Sequence, residues 1–398
     1  MALSKNVMKV QPSATLAMSA KTKEMIAKGV DVINLSIGQP DFVTPKYIQD
    51  AAIAAIRSGK TSFYTPASGL PELKTAIGQR IEAETGVHYD NKQIIATTGA
   101  KFALYLIFQV ILNPDDEVLL PAPFWVSYAE QVHLASGQPV AVKTTGAGHK
   151  ATVEDLEQAR TSKTKALVLN SPQNPSGLIY TKEELTAIGN WAVAHDILLV
   201  SDEIYSNLVY NGNQFVSAVS LGETIQKNTL LVTGVSKTYA MTGWRMGYVL
   251  GDAAIVKAMG TVASHATGNP TAVSQYATIA ALSGSQADAE KMRQAFEQRL
   301  NLLYPKIQSL PGFALAEKPQ GAFYLFPNVK QAVALCGYST TEAFVDALLE
   351  EANVAVVPGR AFGQPDNIRI SYATDQASLD EAYRRIAAFI QAKSSTEA

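Results

Sequence analysis

Between Ile94 and Leu250, short runs rich in β-branched and leucine residues alternate with amphipathic helical stretches. This alternation constrains the fold more than any other feature of the chain. Strand-like runs begin at Ile94 and continue as Glu117–Leu120, Val140–Lys143, Ala166–Asn170, Ile197–Ser201, Thr229–Thr233 and Gly247–Leu250. Helix-like stretches lie between most of them: Phe102–Leu112, Val126–Ser136, Val153–Ala159 and Lys182–His195. Strands that alternate with helices form a mainly parallel sheet covered on both faces, and such sheets bind ligands at the carboxyl ends of their strands.

The flanks follow a different pattern. Pro12-Ser13-Ala14-Thr15 gives a helix start ahead of a helix over Leu16–Lys28, and Val32–Ile37 reads as a short strand. That strand runs into Gly38-Gln39-Pro40-Asp41-Phe42, a turn cluster, and helices follow over Lys46–Ser58 and Leu70–Thr85. After Leu250, helices over Asn269–Ser283 and Ala287–Leu310 lead into a smaller α+β unit. Its strands lie near Phe313 and over Ala322–Phe326 and Val354–Val357, and its helices over Thr340–Glu351 and Ser378–Ala392. With 398 residues, two domains are expected.

Composition narrows the function. A net charge of −2 gives no basis for nucleic-acid or anionic-membrane binding. Cys336 is the single cysteine, which excludes an intrachain disulfide and suits a reducing compartment. The N-terminus carries no apolar signal core, and the apolar run Phe102–Leu112 is too short to span a bilayer. The reading is a cytoplasmic protein without membrane or nucleic-acid partners.

The residues that carry chemistry follow strands. After Thr229–Thr233 comes Ser236-Lys237, then Gly243-Trp244-Arg245-Met246-Gly247. A lysine in a tight, partly apolar turn loses its proton readily, and a neutral amine attacks aldehydes. Ser236 and Arg245 offer a hydroxyl and a fixed cation for a phosphate. Taken alone, Ser-Lys is usually a surface pair. Asp202, at the end of another strand, is an acid where acids rarely stand without a partner, although a helix cap would also explain it. Asn170-Ser171-Pro172-Gln173-Asn174-Pro175-Ser176-Gly177 forms a rigid loop after a third strand, and Gly99-Ala100-Lys101 opens a helix whose amides suit a phosphate. Trp125 follows Glu117–Leu120, and Arg369 lies on a strand near the C-terminus, where a planar cation is a natural receptor for a carboxylate.

Taken together, Ser-Lys-(x)5-Gly-Trp-Arg-x-Gly, Asp202, the Asn170–Gly177 stretch and Arg369 resemble the class I (fold-type I) aminotransferases, with matches from Ser13 to Arg369. The resemblance implies a large domain with a mainly parallel seven-stranded sheet plus a smaller α+β domain. Residues 1–46 would form an arm and part of the small domain, 47–290 the large domain and 291–398 the small domain. It implies pyridoxal 5′-phosphate in a Schiff base with Lys237, which also serves as general base and acid. Asp202 would face the pyridine nitrogen, Trp125 would stack on the ring, and Tyr205 and Asn174 would bind the phenolic oxygen. Gly99, Ala100, Lys101, Ser236 and Arg245 would cradle the phosphate. Tyr64 would reach that phosphate from the neighbouring subunit of a homodimer. Arg369 would take the α-carboxylate, with the Gly38 backbone closing over it. One departure is Ser171, where the family pattern has an asparagine.

Pro12–Thr15, Gly38–Phe42 and Gly99–Lys101 further resemble the bacterial aspartate aminotransferase subgroup Ib. There a lysine at the position of Lys101, helped by hydroxyls at Ser13 and Thr15, receives a distal carboxylate. The expected reaction is aspartate + 2-oxoglutarate giving oxaloacetate + glutamate by a ping-pong route. Aromatic, alanine or prephenate specificity, or β-elimination from cysteine conjugates, are the alternatives.

Overall fold

The computed structural model describes residues 3–4, 7–12 and 14–395, leaving aside the side chains of Ala14 and Ala147. Strand β1 is Ile33–Asn34. Seven strands then form the main sheet: β2 Ile94–Thr97, β3 Glu117–Ala122, β4 Gln138–Lys143, β5 Thr164–Asn170, β6 Leu198–Asp202, β7 Thr229–Gly234 and β8 Gly247–Leu250. Their spatial order is β2-β8-β7-β6-β5-β3-β4. β4, β3, β5, β6 and β7 are parallel, and β8 runs antiparallel to both β7 and β2. The carboxyl ends of β2, β3, β5, β6 and β7 and the amino end of β8 therefore share one edge.

Side-chain alternation explains why both faces are covered. Val118, Leu120, Ala166, Val168, Val200, Leu230 and Val232 point to one face, where helices Ala100–Ile111, Ser127–Leu134 and Ala253–Ala266 pack. Leu119, Leu167, Leu169 and Leu199 point to the other, against helix Lys182–Ala194. Each such buried aliphatic side chain contributes roughly 2 kcal/mol, so a register slip of one residue in a central strand would turn several of them the wrong way.

Beyond Gln308, β9 (Tyr324–Leu325), β10 (Val354–Ala355), β11 (Val357–Pro358) and β12 (Ile368–Ser371) build two small sheets. β12 lies between β11 and β9, and β10 pairs in parallel with β1, so residues Ile33 and Asn34 are bonded to the C-terminal part of the chain. A separate hydrophobic cluster joins this part to helix Ala287–Gln308 through Phe296, Leu300, Leu303 and Ile307.

Three expectations need correction. The strand expected over Val32–Ile37 is shorter: Ile33 and Asn34 pair with β10, Leu35 is bonded to the Ala355 carbonyl and the Ser371 amide, and at Ser36 the ladder stops, where the amide donates to Asn34 Oδ1 and the carbonyl accepts from Arg369. The strand expected near Phe313 is a single bridge between Ala314 and Asn328. Helix Ala253–Ala266 was not expected. Asp252 caps it, accepting from the amides of Ala254 and Ile255 at 2.8 and 3.0 Å.

Candidate active site

A cavity of about 290 Å³ opens at the shared strand edge, bounded on its other side by β9, β12 and the Gly38 turn. Thr15, Gly38, Ala100, Lys101, Trp125, Asn174, Asp202, Tyr205, Ser236, Lys237, Arg245 and Arg369 all line it. Several arrive by a strand end or a turn: Trp125 after β3, Asn174 after β5, Tyr205 after β6, Lys237 after β7 and Arg245 before β8, while Thr15, Ala100 and Lys101 come from helix starts and Arg369 from β12. Tyr64 does not line the cavity and is 98% exposed. Ser13 lies outside the described residues.

Lys237 keeps some surface on the cavity, yet its amine is deep in protein and donates to the Gly38 carbonyl at 2.6 Å. Burial, then the Arg369 and Arg245 cations, push its pKa down to about 7, against the opposing pull of Asp202. A large fraction of the amine is therefore neutral near neutrality.

Asp202 ends β6 on the same face as Val200, among apolar side chains. Burial raises its pKa to about 6, opposed by hydrogen bonds from Tyr128 and the Ile204 amide and by the Lys237 charge. Tyr128 Oη donates to Asp202 Oδ2 at 2.6 Å, and the Ile204 amide donates to Oδ1 at 3.2 Å. The neighbouring Glu203 falls on the opposite face, away from this cavity, where it accepts from Ser201 Oγ and the Ala218 amide.

Arg369 is 2% exposed. It donates to Asn174 Oδ1 at 3.1 Å and to the Ser36 carbonyl at 2.7 Å, while its buried Nε has no partner among the described residues. A buried guanidinium with a spare donor suits a carboxylate.

The opposite end of the cavity suits a phosphate. The first amides of helix Ala100–Ile111 have no partner inside the helix and carry the positive end of its dipole. Gly99 stands before them at φ +82°, and a Cβ there would strike the Arg245 guanidinium. A Cβ on Gly247 would strike the Ala100 amide. The two glycines allow cation, helix start and strand β8 to approach closely. Lys101 Nζ lies 4.9 Å from the centroid of the Trp125 ring, with its pKa lowered by partial burial and by Arg245.

Sequence reasoning missed two side chains. Tyr128 follows Trp125 at helical spacing, and that spacing was the available signal. Tyr324, on β9, puts its hydroxyl 2.9 Å from that of Tyr205 and its ring 4.5 Å from the Arg369 guanidinium. Nothing local in the sequence marks it. Asp41, in the turn after Gly38, is bonded in bidentate fashion to Arg299 at 2.7 and 2.9 Å, which ties the turn to helix Ala287–Gln308.

A lysine of lowered pKa, a buried carboxylate, an arginine with an open donor and a phosphate cradle on a doubly covered sheet define an enzyme of amino-group chemistry. Residues 30–386 match the family model of the class I and II aminotransferases, and the chain belongs to that family. It is 55% identical to an asparagine–oxo-acid transaminase of Streptococcus mutans, over 98% of this chain and 99% of that protein. It is 52% identical to an aspartate aminotransferase of Geobacillus stearothermophilus, over 99% of this chain and the whole of that protein. The structure of an aspartate aminotransferase from Thermus thermophilus with maleate superposes with a TM-score of 0.92 at 40% identity, covering 98% of this chain and all of that one.

Proposed function

We propose that this aminotransferase uses pyridoxal 5′-phosphate and moves the amino group of aspartate to 2-oxoglutarate. The observation that carries the reading is Lys237: a buried amine with a pKa near 7, facing Asp202 across a cavity that also holds Arg369. The residues fit the cofactor. The helix start at Ala100, with Ser236 and Arg245, would accept its phosphate; Asp202 would pair with its ring nitrogen; Trp125 would cover its ring; and Tyr205 and Asn174 would bond its phenolic oxygen. When bound, pyridoxal phosphate supplies an electron sink for loss of the α-proton.

The chain supplies the rest. Lys237 Nζ is neutral often enough near pH 7 to condense with an aldehyde, with loss of water; once displaced by the substrate amine, it would take the proton from the substrate Cα and deliver it to the former aldehyde carbon. Arg369, which lines the cavity and is buried, would orient the α-carboxylate by its charge and guanidinium donors. Tyr128 donates to Asp202, which favours its ionised form despite burial. The reading includes a division into residues 47–290, which hold the cofactor, and 291–398, joined by residues 1–46. The β1–β10 pairing and the separate C-terminal cluster support it. It also includes a homodimer, which the exposure of Phe63 and Tyr64, 76% and 98%, supports. Among the described residues no helix is long and apolar enough to cross a membrane.

In this reading Lys101 receives the distal carboxylate, with Thr15 alongside. Lys101→Met is expected to lower kcat/KM for aspartate by about 100-fold, the scale of a lost charged pair, and to change that for alanine little. Steady-state assays with both donors check this, and equal losses for both would remove Lys101 from the distal site. The Streptococcus mutans relative favours a second reading in which asparagine is also a donor. Asparagine carries no distal charge, so its kcat/KM would fall far less than that of aspartate in the same variant. Turnover by the unaltered chain with aromatic donors or prephenate but not aspartate would overturn the substrate assignment, as would pyruvate release from cysteine conjugates without a keto acid.

A further inference from the structure

The hydroxyls of Tyr205 and Tyr324 lie 2.9 Å apart, and both side chains are buried. Only one of the two can donate to the other, so the second proton needs another acceptor. The Arg369 guanidinium is held between two rings, 4.5 Å from the centroid of Tyr324 and 5.1 Å from that of Phe362. A cation against a phenol favours loss of its proton and so makes the hydroxyl a better donor. The Tyr324 ring lies against Arg369, an arrangement that favours Tyr324 as the donor to Tyr205. The Tyr205 proton is then free to point into the cavity that both rings line.

We propose that Tyr324 is a positioning residue that relays the occupancy of Arg369 to the hydroxyl of Tyr205. The proposal rests on the reading of the cavity as a pyridoxal phosphate site and deepens it. With Arg369 empty, its full charge polarises Tyr324, and the two hydroxyls form a chain aimed at the cofactor's phenolic oxygen. When a carboxylate binds Arg369, the charge beside Tyr324 is offset and the chain weakens at its first link. The other charged groups facing Tyr205 are Asp202, below it on β6, and Lys237, whose Nζ is 5.8 Å from the Tyr205 ring centroid. Neither bears on Tyr324 through a hydrogen bond. The Tyr324 hydroxyl also abuts Gly38, where a Cβ would lie 2.7 Å from it, and the Gly38 carbonyl accepts from Lys237. The first link of the relay therefore rests against the backbone that holds the reactive amine.

The test uses the full chain loaded with pyridoxal phosphate. The pH midpoint of its visible absorption is measured without and with saturating maleate, a dicarboxylate with no amino group to transfer. Tyr324→Phe keeps the ring on Arg369 and removes only the hydroxyl. The variant's maleate-free midpoint is expected to rise by roughly 0.3 of a pH unit, because the Tyr205 donation that favours the deprotonated chromophore is weakened. The displacement caused by maleate is expected to shrink by a similar amount, while the maleate Kd changes less than about threefold. Tyr205→Phe removes the far end of the relay, so adding Tyr324→Phe to it should cause no further change. A wild-type displacement in Tyr324→Phe, or additive effects in the double variant, would overturn the proposal. Failure of the unaltered chain to develop any visible band would remove the cofactor reading, and this proposal with it.

Discussion

Replacing Lys237 with alanine is expected to lower transamination of aspartate by at least about 10⁴-fold, because one side chain serves as both nucleophile and proton carrier. The fold should survive. Lys237 stands in a loop after β7, and its Nζ donates to the Gly38 carbonyl. Stability should rise in the cofactor-free chain. The native pKa of about 7 lies below the ordinary value of 10.5, so between these values the unfolded chain binds more protons than the native one. The stability of the unaltered chain therefore climbs as pH rises from about 7 towards 10.5, and the unfavourable burial of the cation is largest below pH 7. The alanine variant should melt at a higher temperature than the parent at pH 6, with the difference shrinking by pH 10. In the parent, capture of pyridoxal phosphate followed by absorption should rise with pH around a midpoint near 7. A variant that keeps a tenth of parental turnover would contradict the role of Lys237, and a capture midpoint above about 9 would contradict its lowered pKa.

Asp202→Ala has the second largest expected effect, a loss of roughly 10³-fold or more in kcat with cofactor still bound weakly. The variant removes the carboxylate and leaves the buried Tyr128 hydroxyl without the acceptor it now has at 2.6 Å. Asp202→Asn separates charge from packing, since it preserves shape and an acceptor. The native pKa of Asp202, about 6, lies above its ordinary 3.8, so the native state binds more protons than the unfolded one between these values. The Asp202 contribution to stability therefore falls as pH rises through that window. The cofactor-free Asp202→Asn chain should gain in melting temperature relative to the parent above pH 6 and lose that gain below pH 4. Near-parental turnover in both variants would place another group opposite the ring nitrogen.

The sheet was legible in the sequence because its strands are buried on both faces and read as short apolar runs between helices. Lys237, Asp202 and Asn174 could be proposed because each follows such a run, and strand ends share an edge in a parallel sheet. The helix over Ala253–Ala266 went unread although its cap was present at Asp252. Its buried positions Val256, Met259 and Ala263 recur at helical spacing, so the signal was present there too. What the sequence could not convey is approach across distance. Tyr324 reaches Tyr205 over 119 positions and Arg369 reaches Asn174 over 195. No local period encodes those meetings, which depend on how the C-terminal sheets seat against the strand edge. Gly99 and Gly247 illustrate the same limit: the sequence sets one at a helix start and the other at a strand start, and only the packed structure shows that a Cβ would collide with Arg245 or the Ala100 amide.

The most direct test of the central claim is the visible spectrum of the purified chain with pyridoxal phosphate, recorded before and after L-aspartate and again after 2-oxoglutarate. The account predicts a visible band that bleaches with aspartate and returns with 2-oxoglutarate. A band that aspartate leaves untouched while alanine or an aromatic amino acid bleaches it would contradict the substrate assignment, and the absence of any band would contradict the assignment of Lys237.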